Sequence, residues 1–406
     1  MDMVSSARWK RLSPGWPGLL VLCFVLGFTQ WRIADVNLYV WQADAWLRGR
    51  WDIAQSVRDV AIHDGKLWVP FPPFPSVLLL PLVKVLGPEN VSVRAVAVLL
   101  TVLCGWALWR LLSRLEVEPS PRAWLTAAFI MGTGFWSCVV YSHGIWFFAH
   151  VVAATFLMLA VEESLGRGRA WLVGLYVGLA FLSRQLIVYS VIFLVAVLWR
   201  RAAEAGRRRQ VLQVAGVLGV FGLCALVYLA SNAVRFGDPF ETGYQFIPLT
   251  EFLDARVAKY GLFHPAYVPF NFIHLFLEGP HFNFVPPLQL QPMGMDGFGT
   301  SLTIASPFIF LALAARGAGT SVPVRAAWVS IVLAVAHMLM YYNNGWVQVN
   351  TQRFTLDFLP VMMVLVALGV KRWPAGPWKP LVAWAVGLNV FVIAVLPHLS
   401  RALSKL

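Results

Sequence analysis

Apolar stretches of 14 to 22 residues recur along the chain, at about 16–33, 91–110, 122–141, 144–161, 170–183, 185–199, 210–231, 301–315, 325–342, 354–370 and 379–397. A helix needs roughly 20 apolar residues to cross the hydrocarbon core of a bilayer. The pattern therefore predicts an all-α polytopic membrane protein with a bundle of about eleven transmembrane helices, the whole of 1–406 forming one membrane domain. Two stretches qualify this reading. The 170–199 region is short for two full crossings, and its polar interruption is Ser183-Arg184-Gln185, where we place a break between two short helices. The 74–87 stretch is short, proline-rich and interrupted by Lys84, which predicts a helix lying in or dipping into the interface. The first stretch is long and lacks a small-x-small cleavage site, so it reads as a retained helix rather than a signal peptide.

Charge orients the bundle. With the N-terminus on the starting side, the connections on that side hold eighteen Lys and Arg against six Asp and Glu, out of 32 and 19 in the chain. The other side is left with fourteen basic and thirteen acidic residues, so nearly all of the net +13 lies on one face. This is the positive-inside asymmetry, and it predicts a cytoplasmic N-terminus. Two large loops then face outward: 34–90, with interfacial helices, and 232–300, rich in aromatic residues and proline. A charged fraction of 13% against the about 25% of soluble domains, with a mean hydropathy of +0.69, excludes a soluble enzyme. Cys23, Cys104, Cys138 and Cys224 all fall inside apolar runs and read as small packing residues.

Candidate chemistry gathers on the outer side. Asp35 closes the first apolar stretch, followed by what reads as an amphipathic helix; it is either a helix cap or a carboxylate shielded enough to act as a base. Asp59 is a second carboxylate, either catalytic or simply solvated in its loop. Asp44 lies about half a turn around the helix from Asp35. Arg184 stands between two apolar half-helices, where a charge needs an anionic partner or a water-filled cavity; an ion pair with Asp357 is one outcome. Arg235 and Arg353 lie at the outer ends of their spans, and guanidiniums there suit a lipid phosphate. Arg353 also precedes Asp357 by four residues, the spacing of a helical ion pair. His143 and His264 are further candidates, though no histidine spacing matches a zinc motif.

Several of these segments resemble the GT-C class of integral-membrane glycosyltransferases. The carriers are Asp35 with the aromatic stretch ending Arg48-Gly49, and Asp59 through Asp64-Gly65-Lys66, Pro70-Phe71-Pro72-Pro73 and Leu78-Leu79-Leu80-Pro81. Leu182-Ser183-Arg184, then Asn232…Arg235-Phe236-Gly237-Asp238-Pro239…Thr242-Gly243-Tyr244, and Gln352-Arg353-Phe354 with Asp357 and Pro360 complete the ordered set. The resemblance, closest to bacterial protein-mannosyltransferase-like members, implies a sugar carried on a polyprenyl phosphate and an inverting transfer to an acceptor hydroxyl of an envelope lipid, glycan or protein. It implies Asp35 as the base with Asp59 beside it, and Arg184, Arg235 and Arg353 on the donor phosphate. Asp44, His143, His264 and Tyr244 are further substrate-site candidates. The expected location is the bacterial cytoplasmic membrane, with the active site on its outer face and no nucleic-acid partner. Some members carry Asp-x-Asp where this chain has Asp35-Val36-Asn37; losing the second carboxylate weakens the case for a divalent metal, and no obligatory cofactor is expected. A transporter or flippase of lipid-linked saccharides is the rival reading, since such proteins also use broken helices.

Overall fold

The computed structural model describes residues 37–55, 58–315, 321–343, 347–376 and 378–403. The 16–33 span, Cys23 and Asp35 lie outside the described residues. The chain is mostly helical and multi-pass. Among the described residues, five helices are long and apolar enough to cross a membrane: Val93–Arg114, Ile145–Leu165, Arg207–Phe236, Val322–Leu339 and Trp378–Leu403. A sixth crossing is available if Pro119–Met131 and Gly134–Val140, bent by 54° at their junction, count as one.

The elements used below are α1 (Leu38–Leu47), α2 (Phe74–Leu86), α3 (Val93–Arg114), α4 (Pro119–Met131), α5 (Gly134–Val140), α6 (Ile145–Leu165), α7 (Ala170–Phe181), α8 (Ser190–Arg201), α9 (Arg207–Phe236), α10 (Glu251–Tyr260), α11 (Ser321–Leu339), α12 (Leu359–Arg372) and α13 (Trp378–Val390).

Among the described residues, several of the expected crossings are shorter or more irregular than an even run of spans. The 170–199 stretch does break at the expected place, into α7, a 3-10 turn over Gln185–Tyr189, and α8. Each of the two α-helices has 12 residues, about 18 Å at 1.5 Å per residue. The 301–315 stretch becomes a four-residue helix, Leu302–Ala305, and a 3-10 segment, Pro307–Ala314. The start of the 354–370 stretch is likewise 3-10, over Arg353–Asp357, before α12. Apolarity marks these segments for burial but does not set their helical form. Pro307 lacks the N–H that would continue the preceding helix, and tertiary packing completes the burial.

α6 is the central element. Eighteen of its 21 residues are buried, with no polar face, as expected of a helix surrounded by others. α9 is the opposite case: Leu212, Leu223, Leu226 and Val227 stand exposed, the apolar display of a lipid-facing helix.

The 34–90 loop is built rather than loose. Asn37 caps α1 by accepting from the Tyr39 N–H, and its amide donates to Ser142 O at 3.1 Å. α1 is not amphipathic as expected: Leu38, Tyr39, Val40, Gln42, Ala43 and Ala45 are all buried. It packs on α2, where Ser76 Oγ donates to Gln42 Oε1 at 2.6 Å. Between these helices Ala61–His63 and Lys66–Trp68 form an antiparallel hairpin. Its Asp64-Gly65 turn has positive φ at both residues, the two-residue geometry that matches strand twist. A second hairpin, Phe282–Phe284 with Pro292–Met295, lies in the 232–300 loop.

Small residues set the α7–α9 packing. A Cβ on Gly174 would lie 2.6 Å from Val217 O, and one on Gly216 would lie 2.9 Å from Ala170 Cβ. With Gly178 one turn further on, this is the small-residue spacing that lets two backbones approach closely. Gly174→Val should therefore destabilise the protein by about 1–3 kcal/mol through overpacking. Gly219→Val, on the same helix pair with nothing within 4 Å, should change stability by less than about 0.5 kcal/mol. Thermal unfolding of the two detergent-purified variants checks this, and equal melting temperatures would refute it.

Candidate active site

The proline-rich segment before α2 has few N–H groups but a full set of carbonyls, so it needs donors from elsewhere. Arg235, at the end of α9, supplies them: its guanidinium donates to Val69 O and, at 3.1 Å, to Phe71 O. Asn232 Oδ1 accepts from the same side chain at 2.7 Å. On the other side the Phe74 N–H donates to Leu182 O at 2.9 Å. The loop is thus held between the end of α9 and the break after α7.

At that break Arg184 takes an extended conformation, φ −151°, which turns its side chain out of the helical path. Its Nε and NH2 donate to the two Asp357 carboxylate oxygens at 3.2 and 2.8 Å. The guanidinium also lies 4.9 Å from the Phe354 ring centre. His150 Nδ1, from α6, is 3.5 Å from the same carboxylate. Arg184, Asp357 and His150 are all buried.

Arg184 lines a cavity of about 330 Å³. The wall is aromatic and apolar, with polar tips on it. Tyr189 OH and His337 Nδ1 are 2.9 Å apart, and Gln185 Nε2 donates to Tyr228 OH at 2.8 Å. Tyr244 from the 232–300 loop and Trp146 from α6 complete the side nearest the 34–90 loop. A guanidinium has five N–H groups; two of Arg184's are held by Asp357.

Asp59 is half-buried, with a positive φ of 68°. The Trp146 indole donates to its carboxylate, and Arg353 and Arg58 are within electrostatic reach. Burial raises its carboxyl above the usual carboxylate range, the indole hydrogen bond and the two cations offsetting only part of this. Arg353 is buried, with Phe147 and Phe354 ring centres at 4.8 and 5.4 Å and its NH1 donating to Val347 O at 3.0 Å.

The structure brings Arg184, Tyr244, Asp59 and Arg353 into one neighbourhood through Trp146 and Phe354. It puts Arg235 to work on backbone carbonyls, away from the cavity wall. Asp44 makes an i,i+4 ion pair with Arg48 at 3.0 Å. His143 faces Arg94 at 3.3 Å. His264 accepts from the Ala266 N–H and stacks on Tyr260 at 4.7 Å. None of these three lines the cavity; neither does α2, although the neighbouring Phe263 does. Sequence reasoning missed Gln185, Tyr189, Tyr228 and His337. Gln185 adjoins the break and was the one signal available; the others are single polar tips in apolar spans. Among the described residues, no group of three or more His, Cys, Asp or Glu side chains is placed to hold a metal ion.

Comparison with known proteins bears on this geometry. A family model described as dolichyl-phosphate-mannose-protein mannosyltransferase matches residues 71–230, the stretch from the proline-rich loop through the break to α9. No curated protein matches the chain. The crystal structure of ArnT from Cupriavidus metallidurans bound to undecaprenyl phosphate is similar over 96% of this chain and 72% of that one, at 13% identity and a TM-score of 0.50. The apo state of the same protein gives 13% identity, coverages of 96% and 71%, and a TM-score of 0.49. At such identity the likeness is one of fold: the chain has the GT-C fold.

The buried pair generates a stability prediction. Asp357→Asn leaves the Arg184 charge without its counter-charge and should destabilise the protein by about 3–5 kcal/mol. The double variant Arg184→Met/Asp357→Leu should recover most of that loss. Denaturant unfolding of the three proteins checks it; a double variant no more stable than Asp357→Asn would count against a dominant pair.

Proposed function

We propose that the chain is an inverting glycosyltransferase that moves a sugar from a polyprenyl-phosphate carrier to an acceptor hydroxyl on the outer face of the cytoplasmic membrane. The observation that carries this reading is the cavity: a lipid-compatible aromatic wall that ends on a buried arginine with unused donors, beside a half-buried carboxylate. A polyprenyl-phosphate sugar has the matching halves, an apolar chain and an anionic head. The ligand named with the ArnT structure, undecaprenyl phosphate, belongs to this chemical class, and the family matched over 71–230 is described by a lipid-phosphate-linked mannose.

In the proposed reaction the acceptor oxygen attacks the anomeric carbon from the face opposite the phosphate. The new glycosidic bond forms as the bond from carbon to phosphate oxygen breaks. The acceptor's proton passes to a carboxylate, and the electron pair leaves with the polyprenyl phosphate. Arg184 and Arg353 meet the charge developing on that leaving group, without an obligatory cofactor; such preorganised donors act most strongly where water is excluded. Arg235 supports them by fixing the 69–74 loop. Asp35 takes the proton, as the sequence resemblance implies, and Asp59 orients the acceptor. The sugar is a hexose or pentose, and the acceptor an envelope lipid, glycan or protein.

Asp35→Asn should then lower transfer at least about a hundredfold, the usual contribution of a general base, with unfolding unchanged. Transfer within about threefold of wild type would remove Asp35 from that role and leave Asp59 to be tested in its place. The pH profile gives a second check. Asp59 works ionised, so kcat/KM falls as pH drops through its raised pKa. Arg353 favours the ionised form, so Arg353→Gln should move this acidic limb to higher pH and also weaken donor binding. A limb that stays in place, measured with a polyprenyl-phosphate sugar as donor, would separate the two residues.

A further inference from the structure

The ends of α7 and α9 remote from the active cavity form a second recess, of about 420 Å³, lined by Arg167, Arg169, Arg209, Trp171, Leu212 and Gln213 among others. Both helices begin here. Neither start is capped by a side chain, since the caps are Arg169 and Gly206, so two positive helix ends meet at a basic pocket. Trp171 and Leu212 are exposed beside it, 55% and 54%.

Most other arginines at this end are occupied. Arg110 and Arg114 hold Glu162 at 3.0 and 2.8 Å, and Arg169 holds Glu163 at 2.9 Å. Arg201 donates to Ser164 O and Gly166 O, and Arg207 covers the Trp199 ring at 4.9 Å. Among the described residues, the guanidiniums of Arg167 and Arg209 have no hydrogen-bond or ion-pair partner. Of the two acids nearest in sequence, Glu162 is held by Arg110 and Arg114, and Glu163 is held by Arg169 with Arg167 within electrostatic reach.

We infer that this recess binds the head group of an anionic phospholipid, with Arg167 and Arg209 on the phosphate and Trp171 and Leu212 against the glycerol and upper acyl chain. Basic recesses between membrane helices at the bilayer boundary take such head groups, and tryptophan favours that depth. A free phosphate would use the arginines alone, whereas a phospholipid also uses Trp171 and Leu212, which continue the lipid-facing surface of α9. The site is separate from the donor cavity. From Arg209 to Tyr228, which lines that cavity, α9 runs about 28 Å at 1.5 Å per residue.

The test uses the full-length protein in a non-ionic detergent, with thermal unfolding followed during separate titrations of phosphatidylglycerol, phosphatidylcholine and inorganic phosphate. Phosphatidylglycerol should raise the melting temperature saturably, and the other two should not. Arg167→Gln/Arg209→Gln should weaken the phosphatidylglycerol effect about twenty-five-fold, about fivefold for each arginine removed. Arg200→Gln, at an arginine exposed like Arg167 and Arg209 but outside the recess, should bind as wild type. An equal response to phosphatidylcholine would overturn the inference in favour of a plain apolar groove. Reproduction by inorganic phosphate would make it a soluble-anion site, and equal weakening by Arg200→Gln would reduce it to diffuse surface charge.

Discussion

Taking a guanidinium out of water costs several kcal/mol even after the surroundings relax, and this chain does so at Arg184 and Arg353. Arg184 is tolerated only because Asp357 meets it with both oxygens. That one pair joins residues 173 apart in sequence. It requires the helix after Ala170 to stop where it does, and it requires Asp357 to sit in a 3-10 turn instead of a regular α-helix. His150 on the central helix closes the group from the third side. The break, the 3-10 turn and α6 are therefore fixed relative to one another by a single electrostatic demand. The same arginine lines the cavity.

The same logic explains the 34–90 loop. Its prolines give it carbonyls without donors, and Arg235 and the Phe74 N–H tie it at both sides. Held there, the loop sets Asp59 beside Trp146, where burial raises its carboxyl. A carboxylate in that state is a better proton acceptor than a solvated one, and Arg353 offsets part of the rise. Arg235 shows the other use of a buried arginine. Its donors are spent on backbone, so it holds shape while Arg184 keeps donors to spare.

Much of this was legible before any coordinates. Apolar recurrence shows a polytopic helical protein, and Ser183-Arg184-Gln185 marks the break because a charge inside an apolar run must be there for a reason. Of the ordered Arg and Asp elements, the structure draws Arg184, Arg353 and Asp59 together, and the Arg184–Asp357 ion pair is one of the alternatives the sequence leaves open. Helix form was less legible. Hydropathy reports burial, and 3-10 segments such as Pro307–Ala314 are as apolar as any span. The amphipathic reading of α1 failed for a related reason: its polar Gln42 is buried, with Ser76 donating to it. His337, Tyr189 and Tyr228 were invisible as a set, since nothing local brings three separated spans to one wall.

Arginine is the residue through which this chain does most of its long-range organisation, and partner type separates the roles. Some hold the protein's own groups: Arg235 and Arg201 donate to backbone carbonyls, and Arg114 shares Glu162 with Arg110. Others line a recess: Arg184 at one end of α7 and α9, Arg167 and Arg209 at the other. An unsatisfied guanidinium in such a place is a demand for an anion. The glycine-mediated contact between α7 and α9 lets the two helices run side by side from one recess to the other. Their close packing sets the position of both, so an anion held at one end and a lipid-linked phosphate at the other would act on the same rigid pair.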